Sequence, residues 1–229
     1  MSDTLATPIR LAIYDMDRTI TRYPTYTPFM LAWAARHRPW RLLTAPLVVA
    51  CLLAYVGKWI SRGRLKTLML ALLVGRPSAT QLQPAIDRFV DRLFAGGIYA
   101  GALAQIATDK AAGARVILAT ASYDFYVDDI AARLGVSEIV ATRSVWDAGQ
   151  HILPAIDGEN CYGPAKLAMV LDYLAAEGLA RNACHVTFYS DHHSDQPVFD
   201  WADVAVATNP NRKLRALALA RGWQIIDWD

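Results

Sequence analysis

From about Ala112 onward, short apolar runs alternate with helical patterns, and that alternation leaves few folds open. Arg115 to Ala119, Ile139 to Thr142, His185 to Ser190, Val204 to Thr208 and Gln224 to Ile226 have the length and composition of strands. Between them lie helical stretches at Tyr123 to Leu134, Pro164 to Glu177 and Arg212 to Arg221, the first two closed by Gly135 and Gly178. Strands separated by helices imply βαβ units and a parallel sheet. Upstream, Ile9 to Tyr14 reads as another buried parallel strand, and it ends on Asp15-Met16-Asp17. Two carboxylates at the carboxyl end of such a strand stand where open α/β sheets bind ligands. Their mutual repulsion calls for a cation or a shared proton. A metal-assisted site follows, with one Asp as nucleophile and the other handling protons. Alone, the pair more often marks a turn or a solvated edge, so the signals downstream decide.

The 229 residues suffice for a core plus an insertion. Net charge of +2 hides a sharp partition: from Arg18 through Ile86 there are ten Lys or Arg and no Asp or Glu. That stretch, about Arg22 to Ala100, reads as all-helical. Thr27-Pro28 resembles an N-cap and first helical residue, for a helix through Ala35 that ends before Pro39. Leu42 to Gly57 is a run of sixteen uncharged residues containing Pro46. As a helix it spans roughly 24 Å, short of the ~30 Å hydrocarbon core of a bilayer. Leu68 to Val74 is a second apolar run. Ser78 to Gln81 resembles a capping box for a helix stopping near Gly96-Gly97. Met1 to Pro8 is polar and lacks the apolar core of a secretory leader. Cys51, Cys161 and Cys184 form neither a disulfide framework nor a metal-ligand spacing, which points to a reducing, cytoplasmic setting.

Three further signals each follow a strand or open a helix. Thr120, with Ala121 and Ser122 after it, ends one strand, and a hydroxyl with backbone N–H groups there suits phosphate oxygens; an ordinary helix cap is the alternative. Lys166 falls in the first turn of the helix opened by Pro164, where a cation opposes the helix dipole. The position makes sense if helix end and ammonium share an anion, and otherwise this is a surface lysine. Asp191 follows another strand and could complete an oxygen cage for Mg²⁺, and Asp195 could orient waters or Lys166. His192 and His193 are read as loop or rim residues, because adjacent histidines rarely face one metal.

In this order, YDMDRTIT, ILATAS, the Lys of GPAKLAMV and YSDHHSDQP resemble the four motifs of the haloacid dehalogenase-like phosphohydrolase superfamily. The resemblance implies an α/β fold: a Rossmann-like parallel-sheet core (1–21 and 112–229) with an inserted all-helical C1-type cap (22–111), as in its phosphoserine phosphatase-like subfamily IB. It also implies an aspartyl-phosphate mechanism. Asp15 would be the nucleophile and Asp17 the acid and then base. Asp15, the Asp17 carbonyl and Asp191 would hold Mg²⁺, and Thr120, the Ala121 N–H and Lys166 would hold the phosphoryl oxygens.

The substrate stays open between two classes. Phosphoserine phosphatases place a Glu soon after the first motif, whereas Thr21 to Thr27 holds no acid. The basic, apolar cap resembles, more loosely, that of phosphatidylglycerophosphate phosphatases of the superfamily. It suits an anionic amphiphile and peripheral contact with the inner face of an anionic membrane, where each basic residue contributes about 1 kcal/mol. Trp33, Trp40 and Trp59 fit an interfacial belt. The alternatives are a soluble phosphomonoesterase whose cap is a self-contained four-helix bundle, and a non-catalytic module binding anionic lipids or phosphorylated ligands. No nucleic-acid partner is expected, and oligomeric state is not legible.

Overall fold

The computed structural model describes residues 8–229; the polar lead before Pro8 lies outside the described residues. Strand β1 (Ile9–Tyr14) is followed by five helices: α1 (Tyr26–His37), α2 (Ala45–Val56), α3 (Arg62–Met69), α4 (Ala79–Gly96) and α5 (Ala100–Ala111). Then come β2 (Arg115–Tyr123), α6 (Asp124–Arg133), β3 (Glu138–Trp146), β4 (Ile152–Asp157) and α7 (Pro164–Ala176). The chain finishes with β5 (Cys184–Ser190), α8 (Gln196–Trp201), β6 (Val204–Thr208), α9 (Arg212–Arg221) and β7 (Gln224–Ile226).

The strands form one seven-stranded sheet in the order β4-β3-β2-β1-β5-β6-β7. Helices cover both faces, which is why Leu11 to Tyr14 of β1 run apolar and buried rather than alternating. Its Leu11 and Ile13 join the core shared with α7, α8 and α9, whereas Ala12 and Tyr14 join the opposite core with α1, α4 and α6. Because β1 pairs in parallel with β2 on one side and β5 on the other, the chain reverses its winding there. That opens a crevice at the carboxyl ends of all three strands.

The sheet is mixed rather than wholly parallel. β3 runs past the expected Thr142 to Trp146 and turns back antiparallel into β4. Tyr123 closes β2 instead of opening the next helix. The N-cap of α1 is Thr25, not Thr27, and the helix reaches His37; Thr25 is used otherwise, since it binds Asp17. Pro46 sits in the first turn of α2, where a missing N–H costs nothing. A 3-10 turn (Pro39–Thr44) precedes that helix, and a wide π turn (Leu70–Val74) continues α3.

The four-helix-bundle expectation fails at α2, which contains no fully buried residue. Trp33 is buried, while Trp40 and Trp59 face outward. Helix α5 lies against the sheet, its Asp109 accepting the Tyr14 hydroxyl of β1. At the start of α4 the capping box is complete: Ser78 accepts from the Gln81 N–H, and Gln81 accepts from the Ser78 N–H. Ser78→Ala therefore lowers stability by about 1 kcal/mol in denaturant unfolding, and an unchanged midpoint would mean the cap contributes nothing.

Candidate active site

The crevice holds a cavity of about 260 Å³ lined by Asp15, Asp17, Thr120, Ala121, Lys166, Asp191 and Asp195, among others. The sheet register explains the convergence, because Asp15 and Asp191 stand just beyond the ends of β1 and β5, and Thr120 just past the last residue of β2 that pairs with β1. Lys166 reaches them from the first turn of α7. There Gly163 adopts φ +61°, a left-handed conformation that glycine enters without strain, and Pro164 starts the helix.

Lys166 is fully buried, its Nζ donating to Asp15 Oδ1 (2.8 Å) and Asp195 Oδ2 (2.7 Å). Burial alone would favour the neutral amine, but the two carboxylates override it and raise the lysine pKa. Asp195 Oδ2 also accepts from Ser190 Oγ (2.8 Å), leaving Asp195 Oδ1 buried without a donor. Thr19 joins two of the motifs: its hydroxyl donates to Asp15 Oδ2 (3.2 Å) and accepts from the Asp191 N–H (2.9 Å).

Three buried carboxylates (Asp15, Asp191 and Asp195) thus face one buried ammonium. Desolvation is the largest cause pushing Asp191 up to about 8, with Asp15 and Asp195 adding to it. Desolvation likewise pushes Asp15 up to about 6, partly offset by Lys166. Buried negative charge in excess, on hard oxygen donors, fits a divalent cation of the Mg²⁺ type. Among the described residues no group of three His, Cys, Asp or Glu side chains forms a metal cage. A site here therefore needs Asp15 and Asp191 supplemented by a carbonyl, phosphate or water.

Asp17 is held from two directions: its Oδ1 accepts from the Thr25 N–H (2.8 Å) and Thr25 Oγ1 (2.7 Å), and its Oδ2 from Ser122 Oγ (2.9 Å). The start of α1 and the end of β2 therefore fix its carboxylate. At that end the β2–β3 pairing slips between Thr120 and Tyr123, carrying Ala121 and Ser122 out of register. Such an irregularity re-aims backbone at a site's edge, and Thr120 Oγ1 accepts from the Ser122 N–H (3.1 Å). His192 lines the cavity, half-buried. Burial, reinforced by His193, pushes it down to about 4, so the ring is neutral. His193 sits beside Asn211.

Sequence reasoning passed over Thr19, Thr25, Arg62, Lys66 and Asn160. Arg62 lines the cavity and stacks on Tyr162, 4.0 Å from the ring centre. Lys66, from α3, is buried with its ammonium 4.2 Å from the centre of the Tyr123 ring. It donates to the Ala121 carbonyl (2.5 Å) and Asn160 Oδ1 (2.9 Å). The inserted helices thereby grip the peptide that follows Thr120. A lysine among ten basic residues has no distinguishing spacing; only its burial marks it.

Burial first, and Arg62 second, lower the Lys66 pKa to about 7. With the folded value below the usual 10.5, the unfolded chain binds more protons between those limits, so this residue makes stability rise with pH from about 7. Lys66→Met removes that slope. The single Thr142 hydroxyl proton can serve only one of the two acceptors, so the variant leaves one acceptor short of a donor, and its deficit against wild type should grow as pH rises above about 7. Turnover should fall about tenfold or more as the Ala121 peptide loosens. Thermal melts across pH and turnover kinetics check both, and a stability difference from wild type that stays constant with pH would contradict the assignment.

A family model described as haloacid dehalogenase-like hydrolase matches residues 12–200. Phosphoserine phosphatase SerB1 of Mycobacterium tuberculosis is 32% identical over 225 residues, covering 95% of this chain and 70% of that protein. Protein CicA of Caulobacter vibrioides is 29% identical over 157 residues, covering 69% of each. Among solved structures, a protein of unknown function from Bordetella pertussis Tohama I matches with TM-score 0.86 at 27% identity, covering 96% of this chain and 99% of that one. A substrate-bound phosphoserine phosphatase complex shares the fold, with TM-score 0.66 at 17% identity over 96% and 94% of the two chains. By the family match and by a relative matched over 70% of its length, the chain belongs to the haloacid dehalogenase-like hydrolase family, as a phosphatase of its phosphoserine phosphatase-like group.

Proposed function

We propose that this phosphatase hydrolyses a phosphate monoester through an aspartyl-phosphate on Asp15, in a crevice between a core of residues 1–21 and 112–229 and a helical cap of residues 22–111. The observation that carries the reading is the buried Lys166 ammonium bonded to Asp15 at the wall of a cavity shared with Asp17, Thr120 and Asp191. An Asp15 carboxylate oxygen attacks phosphorus, the bond from phosphorus to the ester oxygen breaks, and Asp17 protonates the departing oxygen. Asp17 then takes a proton from water, whose oxygen attacks phosphorus, releasing inorganic phosphate and restoring Asp15. Thr120 Oγ1, the Ala121 N–H and the Lys166 ammonium hold the three equatorial oxygens.

Phosphatases of this family generally use Mg²⁺. In this chain Asp15, the Asp17 carbonyl and Asp191 would hold it, with Asp195 fixing Lys166. When bound, the ion would neutralise phosphoryl charge and so ease the approach of one anion to another.

For the ester itself we favour an anionic amphiphile such as a phosphatidylglycerophosphate, hydrolysed at the inner face of a membrane. The exposed apolar surface around α2 and the absence of any acid from Thr19 to Ile86 support this. A soluble ester of phosphoserine type is the second reading, favoured by the name of the SerB1 relative. A catalytically silent binding module is disfavoured, having no use for the Lys166–Asp15 pair.

Asp15→Asn should lower phosphate release at least about a thousandfold on every ester tried, as removal of a nucleophile does. Chelation of divalent cations should silence the wild type and Mg²⁺ restore it. Turnover by Asp15→Asn at the wild-type rate would end the proposal. A panel containing phosphoserine, glycerol phosphate and a lipid phosphate monoester ranks the two substrate classes by kcat/KM.

A further inference from the structure

The outer face of the helical insertion is apolar where a water-exposed surface is ordinarily mixed. In α2 the stripe Val48, Cys51 and Tyr55, spaced three and four residues apart, packs half-buried on the core. The rest of the helix and its flanks turn outward, with Leu43 82%, Leu53 66%, Val56 75% and Trp59 86% exposed. A helix that is apolar all round needs apolar material on every side. A contiguous patch of this kind marks a docking surface.

Charge selects the occupant. Lys58, at the end of this segment, and Arg64, in α3 packed against α2, stand exposed, and no Asp or Glu lies between Thr19 and Ile86. In a two-fold contact with a second copy, each cationic rim would meet its own image. Anionic lipid headgroups complement the rim, and acyl chains complement the patch. We propose that residues 39–59 dock this phosphatase on an anionic lipid bilayer, with α2 lying along the interface. The purpose of such docking rests on the amphiphile reading of the substrate; the binding itself does not.

Pro39–Val56 is long and apolar enough to cross a membrane by length and composition, with none of it buried. Its attachments oppose a crossing. Arg41 at one end donates to the carbonyls of Ala71 (2.6 Å) and Leu72 (3.0 Å). Beyond the other end Lys66 is clamped to Ala121. Both ends therefore leave from one face of one body. Helix α2 alone is roughly 18 Å long, against the ~30 Å hydrocarbon core. Trp40 and Trp59 flank the segment and suit headgroup depth. Three residues beyond Trp59, Arg62 lines the catalytic cavity, so a docked molecule presents that cavity's rim near lipid-borne esters.

Flotation of the full chain with vesicles, at low salt, tests this. Wild type should float with vesicles of about one-third phosphatidylglycerol in phosphatidylcholine and at least about tenfold less with pure phosphatidylcholine. L43E/L53E, altered only at exposed positions, should lose flotation at least about tenfold while keeping its melting temperature and its turnover of a soluble ester. Asp15→Asn should float as wild type does, which separates docking from catalysis. Wild type that stays unbound on the anionic vesicles overturns the proposal, as does L43E/L53E floating normally. A dimer in sedimentation equilibrium that L43E/L53E dissolves, without vesicle binding, would assign the face to a second copy and overturn it too.

Discussion

Everything in the crevice is arranged around one buried ammonium. Lys166 Nζ lies within hydrogen-bonding distance of both Asp15 and Asp195, and a buried charge survives only when partnered this closely. Satisfying the lysine with Asp15 and Asp195 leaves Asp191 without an ammonium of its own. The neighbourhood is therefore over-supplied with negative charge, which adds to the desolvation that raises the pKa of Asp191 and Asp15. An electrostatically incomplete pocket of this kind favours a divalent cation together with a phosphoryl group, whose oxygens the lysine is proposed to meet. Pre-organised charge of this type costs no rearrangement at the moment of reaction.

The inserted helices do more than roof the pocket. Thr25 begins α1 and binds Asp17; Lys66 belongs to α3 and binds the Ala121 carbonyl. Two of the groups proposed for chemistry are thereby positioned by residues from the insertion, so the pose of the helices and the geometry of the crevice are coupled. Ser122 closes the circuit, donating to Asp17 from the end of β2. The same insertion turns an uncovered apolar face outward, which links surface attachment and site geometry through one short helical segment.

The central strands were legible because helices bury both faces, making them largely apolar runs. Asp15, Thr120 and Asp191 announced themselves by their place directly after predicted strands, and Lys166 by a cation misplaced in a first helical turn. The β3–β4 hairpin was not legible, because its strand Ile152–Asp157 is only half-buried and lacks a uniform apolar signal. Thr25 was not legible as the N-cap of α1, because Thr27-Pro28 carries the stronger start signal and the sequence does not show Thr25 binding Asp17. Lys66 was hidden among like charges. The exposure of α2 was also beyond reach, because an apolar run reads identically whether it packs inward or faces out.

The central claim is that phosphorus bonds covalently to Asp15. Acid quench of the enzyme during turnover of a phosphorus-labelled ester with Mg²⁺, followed by peptide mapping, tests it most directly. The account predicts a hydroxylamine-labile label on the peptide carrying Asp15, lost when Mg²⁺ is chelated. Label on any other residue, or turnover with no labelled protein when hydrolysis of the intermediate is slowed, would contradict it.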